Sequence, residues 1–445
     1  MKKILVANRG EIAVRIIRAC QELNYRTVAV FSLEDSDSLH AKIADESICI
    51  GPGPSIHSYL SIPALMSAAE IAGVDGIHPG YGFLAESHEF ANACQKYGIN
   101  FIGPSPRHIR LLGNKVEARA LALKAGVPLF PGSDGIVRDV GEAYQIARKI
   151  GFPLIIKAVA GGGGRGMKIV LKEGQLEQQF KLAQSESEIS FGCPDVFIER
   201  YAQNPKHIEI QIIGDQHGNI LHLGERDCTI QRRHQKLIEE SPSPVVDQSL
   251  REKMGATAVR LAQEVGYHSV GTVEFLLENN QFYFMEVNTR IQVEHPVTEM
   301  VTGFDLIKEQ IRVAEGHHLA LQQQDVEIRG HSMECRINAE DPDSFAPWPG
   351  TITAYHSPGG PGIRIDSSIY SGYRVSSLYD SMIAKLITYG RDRDECLVRM
   401  KRALGELKID GIRTNIPFHQ MLCDHPAFLG AEVSTRFVDG LKKKH

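Results

Sequence analysis

The chain has 445 residues, too many for one compact core, and its length predicts two to three domains. Lys and Arg number 49 against 54 Asp and Glu, a formal charge of −5, which is too small and of the wrong sign for a nucleic-acid binder relying on phosphate neutralisation. Any anionic substrate must therefore meet a local basic pocket.

The cysteines form no C-x-x-C pair, so neither a zinc site nor a disulfide framework is expected, and they read as reduced thiols of a cytoplasmic protein. Met1 to Ala7 imitates the start of a signal peptide until Asn8 and Arg9 end the apolar run. With no stretch of about 18 apolar residues, no membrane span is expected either.

Early in the chain, short apolar runs at Ile4–Ala7, Thr27–Phe31 and Ile99–Ile102 alternate with amphipathic stretches such as Glu11–Leu23. That alternation predicts an α/β domain with a parallel sheet. Asn8-Arg9-Gly10-Glu11 stands where a dinucleotide fold would carry G-x-G-x-x-G, and with only one glycine present the side chains obstruct the approach of a pyrophosphate. A Rossmann-like domain without nucleotide binding is expected over residues 1–112.

From Leu112 the texture changes. A helix at Val116–Lys124 is followed by the turn Pro131-Gly132-Ser133 and by strands at Leu154–Ala158, Met167–Leu171, Val196–Tyr201, His207–Ile213 and Ile220–Gly224. With a helix at Leu250–Glu264 these predict an α+β nucleotide domain over residues 113–330. A third domain, residues 331–445, begins near Gly330 and passes through the turn-rich Pro342–Gly350.

Ala160 to Gly166 carries four consecutive glycines between two predicted strands, a hairpin loop whose backbone N–H groups can cradle phosphate. A flexible linker has the same composition, but Lys157 sets a cation beside the loop. A Walker A loop is excluded because Arg165-Gly166-Met167 runs into a strand.

Glu274 and Glu286 lie on the two arms of one hairpin whose turn is Asn279-Asn280. Two carboxylates facing one site suit Mg²⁺. A simple two-residue turn would pair Glu274 with Met285 and turn the acids apart, so an odd loop, Asn279 to Gln281, or a bulge is required.

Glu286, Asn288, Arg290, Gln292 and Glu294 recur at every second position. In an extended chain they would share one face. A solvated strand face has the same period, but apolar flanks and the sequence of acid, amide, cation, amide and acid point to a site for a metal-bound anion. Arg232-Arg233-His234-Gln235-Lys236 is a candidate anion clamp.

These residues resemble the biotin carboxylases of the ATP-grasp superfamily along nearly the whole chain. The resemblance rests on Ala7–Ala13, His78–Phe83, Gly161–Met167, Gln231–Lys236, Glu286–Glu299 and Glu334–Asp341. It implies a Rossmann-like N-terminal domain, an ATP-grasp central domain with a lid at about residues 131–202, and a C-terminal α+β domain.

By that resemblance Lys115 and Lys157 hold ATP phosphates, Gly163 and Gly164 make the lid contact, and Glu199, Arg200, Tyr201 and Ala202 form the adenine strand, with His207, Gln231 and His234 nearby. Arg200 and Ala202 depart from the Lys and larger apolar residue common in the family. Glu274, Glu286 and Asn288 would bind Mg²⁺ or Mn²⁺. Lys236, Arg290, Gln292 and the Val293 backbone would bind bicarbonate, Glu294 would be the general base, and Arg336 would face the biotin ureido oxygen.

The implied partners are a biotin carboxyl carrier protein, carboxyltransferase subunits and a second copy of the chain, with neither nucleic acid nor membrane. Biotin is expected as a carrier-bound substrate not attached to this chain, since the Met-Lys-Met type attachment site of carrier domains is absent and Met167-Lys168-Ile169 lies inside the nucleotide domain. The implied reaction is the first half of acetyl-CoA carboxylase. A pyruvate or other acyl-CoA carboxylase and another ATP-grasp ligase stay open, whereas the complete row from Glu286 to Glu294 argues against a silent ATP-binding regulator.

Overall fold

A computed structural model describes residues 1–159 and 166–441. The loop glycines Gly163 and Gly164 and the Lys442–Lys444 tail lie outside the described residues.

The N-terminal strands β1 (Lys3–Val6), β2 (Arg26–Phe31), β3 (Glu46–Cys49), β4 (Gly76–His78) and β5 (Asn100–Phe101) form one parallel sheet in the order β3-β2-β1-β4-β5. Ile4, Leu5 and Val6 are wholly buried, as in a strand covered on both faces. The helix Gly10–Glu22 buries Ile12, Ala13, Ile16, Ile17 and Cys20 along one stripe.

Strand order reverses between β1 and β4, which opens a crevice at their carboxyl ends. There Asn8 Nδ2 donates to the carbonyls of Pro79 and Tyr81, both at 2.7 Å. Asn8 thus ties the end of β1 to the loop after β4 at that crevice.

A small antiparallel sheet, β6 (Leu154–Ala158), β7 (Met167–Val170) and β8 (Val196–Arg200), runs in the order β7-β6-β8. It has its own core, in which Val137, Ala143, Ala147 and Phe180 pack on Leu154, Ile156 and Ile198.

The largest sheet contains β9 (Lys206–Gly214), β10 (Ile220–Arg232), β11 (Gln235–Ser241), β12 (Ser269–Glu278), β13 (Gln281–Asn288) and β14 (His331–Asn338), with strands Met382–Gly390 and Ile363–Ser367 beyond. Its order is β13-β12-β9-β10-β11-β14, then those two strands. One sheet therefore crosses Gly330, because β11 pairs with β14. No helix among the described residues is long and apolar enough to cross a membrane.

Strand β10 continues past Gly224 through Glu225, Arg226 and Asp227 to Arg232. Three adjacent charged residues mimic a strand end in the sequence, and only buried partners on neighbouring strands make the continuation tolerable.

Candidate active site

A cleft of about 760 Å³ lies between the N-terminal crevice, the small sheet and the large sheet. It is lined by Lys115, Lys157, Glu199, His207, Gln231, His234, Lys236, Glu274, Glu286, Asn288, Arg290, Gln292, Val293, Glu294 and Arg336. The expected side chains thus converge from elements far apart in sequence. Asn8, Arg9, Gly10 and Glu11 line it as well, so the N-terminal domain forms one of its walls.

The turn Asn279-Asn280 is the even, two-residue one, with φ of 53° and 60° and Glu278 paired to Gln281. The odd loop is absent. The ladder shifts between Glu274 and Phe275, so that Glu274 pairs with Glu286 while Phe275 pairs with Phe284. Met285 is the extra residue of a bulge, and the bulge brings both acids to one face.

The alternating row does not continue as a strand, since β13 ends at Asn288. Residues 289–294 leave the sheet, and Glu294 is the N-cap of the helix His295–Thr302. The five polar groups still share the cleft. The chain turns because its polar groups find partners there that a sheet face would not supply.

Lys236 Nζ donates to Glu209 at 2.6 Å, Glu274 at 3.0 Å and Glu294 at 2.6 Å. Arg336 donates to Glu239 at 2.5 Å and to Glu294 at 2.9 Å. Burial pushes the Glu294 carboxyl up, but Lys236, Arg336 and Arg226 outweigh it and hold Glu294 well below the usual carboxylate range. Burial likewise lowers Lys236, and the surrounding acids raise it well above an ordinary lysine.

Glu274 Oε1 accepts from Lys236, Asn288 Nδ2 at 2.9 Å and Gln292 Nε2 at 2.8 Å. Its other oxygen lies 3.0 Å from His207 Nε2. Glu286 is pushed up by burial and by Glu274, so this pair of opposed acids suits a divalent cation. Asn288 Oδ1 accepts from Arg290 at 3.0 Å, and its second lone pair could serve as a third oxygen ligand.

Lys157 reaches Glu199 at 2.6 Å, and Arg119 donates to the same carboxylate. Of the basic run at the β10–β11 turn, only Lys236 brings a lysine or arginine into the cleft. Arg232 stacks on Phe345 with its guanidinium carbon 4.3 Å from the ring centroid, and Arg233 and His234 take the positive φ angles of the turn. The five-residue clamp reduces to Lys236, with His234 beside it.

Arg200 and Tyr201 line a separate cleft behind the small sheet, and Ala202 is buried. Alternation along β8 sends Phe197 and Glu199 to the main cleft. Contact with adenine through Arg200 to Ala202 would fall to their backbone.

Several residues of the site escaped the sequence reading. Arg226 is wholly buried and donates to Glu209, Gln211, Thr298, Thr272 and Gln292. Glu86 accepts from Arg290 Nε at 2.9 Å. The alternation His207, Glu209, Gln211 carried a period-two signal that would have found Glu209; Arg226 and Glu86 had none.

Residues 1–109 match the family model "Biotin carboxylase, N-terminal domain", residues 114–322 "Carbamoyl-phosphate synthase L chain, ATP binding domain" and residues 334–440 "Biotin carboxylase C-terminal domain". Biotin carboxylase 1 of Bacillus subtilis is 55% identical over 442 residues, covering 99% of this chain and 98% of that one. The chain belongs to the biotin carboxylase family.

That family carries out the ATP-dependent carboxylation of biotin. A pyruvate carboxylase subunit from Methanothermobacter thermautotrophicus is 53% identical over 99% of this chain and 90% of its own. A biotin carboxylase from Campylobacter jejuni, solved as a β,γ-ATP complex, superposes with a TM-score of 0.96 at 48% identity, over 98% of each chain. The biotin carboxylase domain dimer of Hydrogenobacter thermophilus 2-oxoglutarate carboxylase, solved with MgADP, ADP and bicarbonate, gives 0.94 at 47% identity over 99% of this chain and 97% of that one.

Proposed function

We propose that the chain forms carboxybiotin from ATP, bicarbonate and biotin borne on a separate carrier protein. The observation that carries this reading is the convergence of Lys236 and Arg336 on Glu294. It sets an anion-binding cation, a candidate base and a candidate biotin contact within one hydrogen-bonded unit.

Lys115 and Lys157 take the ATP phosphates, Gly163 and Gly164 serve as the lid contact, and His207, Gln231 and His234 flank the nucleotide whose adenine rests on the backbone of Glu199 to Ala202. Glu274, Glu286 and Asn288 hold Mg²⁺ or Mn²⁺, which supplies charge neutralisation to the phosphates.

Lys236, Arg290, Gln292 and the Val293 backbone orient bicarbonate for attack on the γ-phosphorus. Arrival of the anion draws Lys236 away from Glu294, which raises the carboxylate's basicity and lets it take the bicarbonate proton. Carboxyphosphate forms as ADP leaves, then breaks to CO₂ and phosphate. The phosphate takes the ureido N–H proton, Arg336 stabilises the oxygen of the resulting enolate, and the nitrogen attacks CO₂. Closure over Lys157 keeps water from carboxyphosphate.

Relatives named biotin carboxylase support a role beside carboxyltransferase subunits that load acetyl-CoA. The pyruvate carboxylase relative is an observation for the alternative acceptor, pyruvate, which the relatives named biotin carboxylase do not favour. The transferase that co-purifies with the chain separates the two. The 2-oxoglutarate carboxylase domain solved as a dimer supports a homodimer. Phosphate release from ATP should require bicarbonate and rise with free biotin; cleavage indifferent to bicarbonate would overturn the proposal.

A further inference from the structure

Behind Arg336 lie two acids that the proposed reaction does not use. Glu239 on β11 and Glu334 on β14 are direct cross-strand partners, which sets their Cβ atoms about 5 Å apart. Both are wholly buried. Among the described residues, Glu334 Oε1 and Oε2 and Glu239 Oε2 have no hydrogen-bond partner.

No nearby cation among the described residues bonds Glu334, and the one that reaches Glu239 is shared with Glu294. Arg336, two residues along β14 and on the same face as Glu334, gives its bonds to Glu239 and Glu294. Lys385, in register with Arg336 on the next strand, donates to the Val293 carbonyl at 2.9 Å and pairs with Glu11 at 3.2 Å and Asp366 at 3.8 Å. The helix His295–Thr302 packs on β14 and adds Glu294, His295 and Glu299. Tyr81 approaches from the N-terminal crevice, its hydroxyl bonded to Glu11.

Two ionised carboxylates in direct apposition, with three partnerless buried oxygens and each nearby cation already engaged, are not a stable arrangement. One proton between them removes the conflict.

We propose that Glu334 is a protonated acid sharing its proton with Glu239, and that this shared proton makes Glu334 a positioning residue for Arg336. With the proton present, Glu239 holds the guanidinium loosely enough for it to turn to the biotin oxygen. Without it, a doubled negative charge keeps Arg336 on the carboxylates. Burial, with Glu239 and Glu294 adding repulsion, pushes Glu334 well above the usual carboxylate range, and Glu239 is pushed up to about 7. The positioning role rests on the reading of Arg336 as the biotin contact; the shared proton does not.

Infrared difference spectra of wild type against Glu334→Gln at neutral pH test the proton directly. A carboxylic-acid carbonyl band present in wild type and lost in the variant is expected; its absence from wild type overturns the proposal. The neutral isostere should fold and should match or exceed wild-type stability, because it mimics the protonated acid. An unfolded Glu334→Gln would show that the charge is needed and would also overturn it.

kcat/KM for biotin in wild type should fall about tenfold as pH rises above neutrality and the shared proton is lost, and Glu334→Gln should lose that limb. An unchanged profile removes the positioning role while leaving the shared proton. Full carboxylation by Arg336→Ala would instead defeat the biotin reading of Arg336.

Discussion

Arg336 donates a hydrogen bond to Glu294, with Nη2 2.9 Å from Oε2. The proposed biotin contact therefore also holds the proposed base, and the two halves of the reaction share a side-chain pair.

Glu294→Gln keeps shape but loses the base, so bicarbonate-dependent ATP cleavage and biotin carboxylation should both fall by about 10² to 10⁴. Phosphate release with bicarbonate alone, followed by carboxybiotin formation, measures the two losses.

Arg336→Ala should lose carboxylation by roughly 10² to 10³ and retain most biotin-independent cleavage. The shared bond adds a further effect, because removing one of the cations that lower Glu294 raises that carboxyl. The acid limb of the remaining cleavage should move to higher pH than in wild type. An unshifted limb would mean that Lys236 alone governs Glu294.

The opposition of Glu274 and Glu286 across the bulge at Met285 bears on metal-nucleotide binding. MgADP at about 100 times its Kd should stabilise wild type by about 2.7 kcal/mol. Glu286→Gln should lose most of that protection while its ligand-free melting temperature holds or rises, since the variant removes a repulsive charge. Undiminished protection would take Glu286 out of the metal set.

Arg226→Met tests the buried cation beneath the site. It would leave Glu209 without its 2.5 Å partner, and loss of one member of a buried pair costs about 3 to 5 kcal/mol. Urea unfolding should show a midpoint lowered accordingly, and a loss under about 1 kcal/mol would mean that Lys236 alone satisfies Glu209.

A second stability test uses acid. Burial raises Asp35, but its bonds to Arg9 at 2.6 and 2.8 Å outweigh that and depress the carboxyl. A depressed folded value gives stability that is present above the unfolded value of 3.8 and lost as pH falls through the folded one. Asp35→Asn should thus be less stable than wild type by about 3 kcal/mol at neutral pH, and the two should converge in strong acid. A gap independent of pH would assign the loss to packing.

The family was legible in the residues, because its motifs need particular side chains at particular local spacings. Period-two and helical patterns placed the strands and helices that build the cleft, Lys157 and Glu199 among their residues. The patterns failed where a local rule was overridden from a distance. Strand β10 runs on through Glu225, Arg226 and Asp227 because buried partners on other strands satisfy them. The row from Glu286 leaves the sheet at Asn288 because its partners lie in the cleft. Whether Glu274 faces Glu286 depended on one bulged residue, Met285, since a turn of two residues sets parity one way and a bulge reverses it. The pairing of Glu239 with Glu334 across β11 and β14 joins segments far apart in the chain. Sequence spacing carries no record of such an encounter, and the charge balance around Arg336 was decided only when the sheet closed across Gly330.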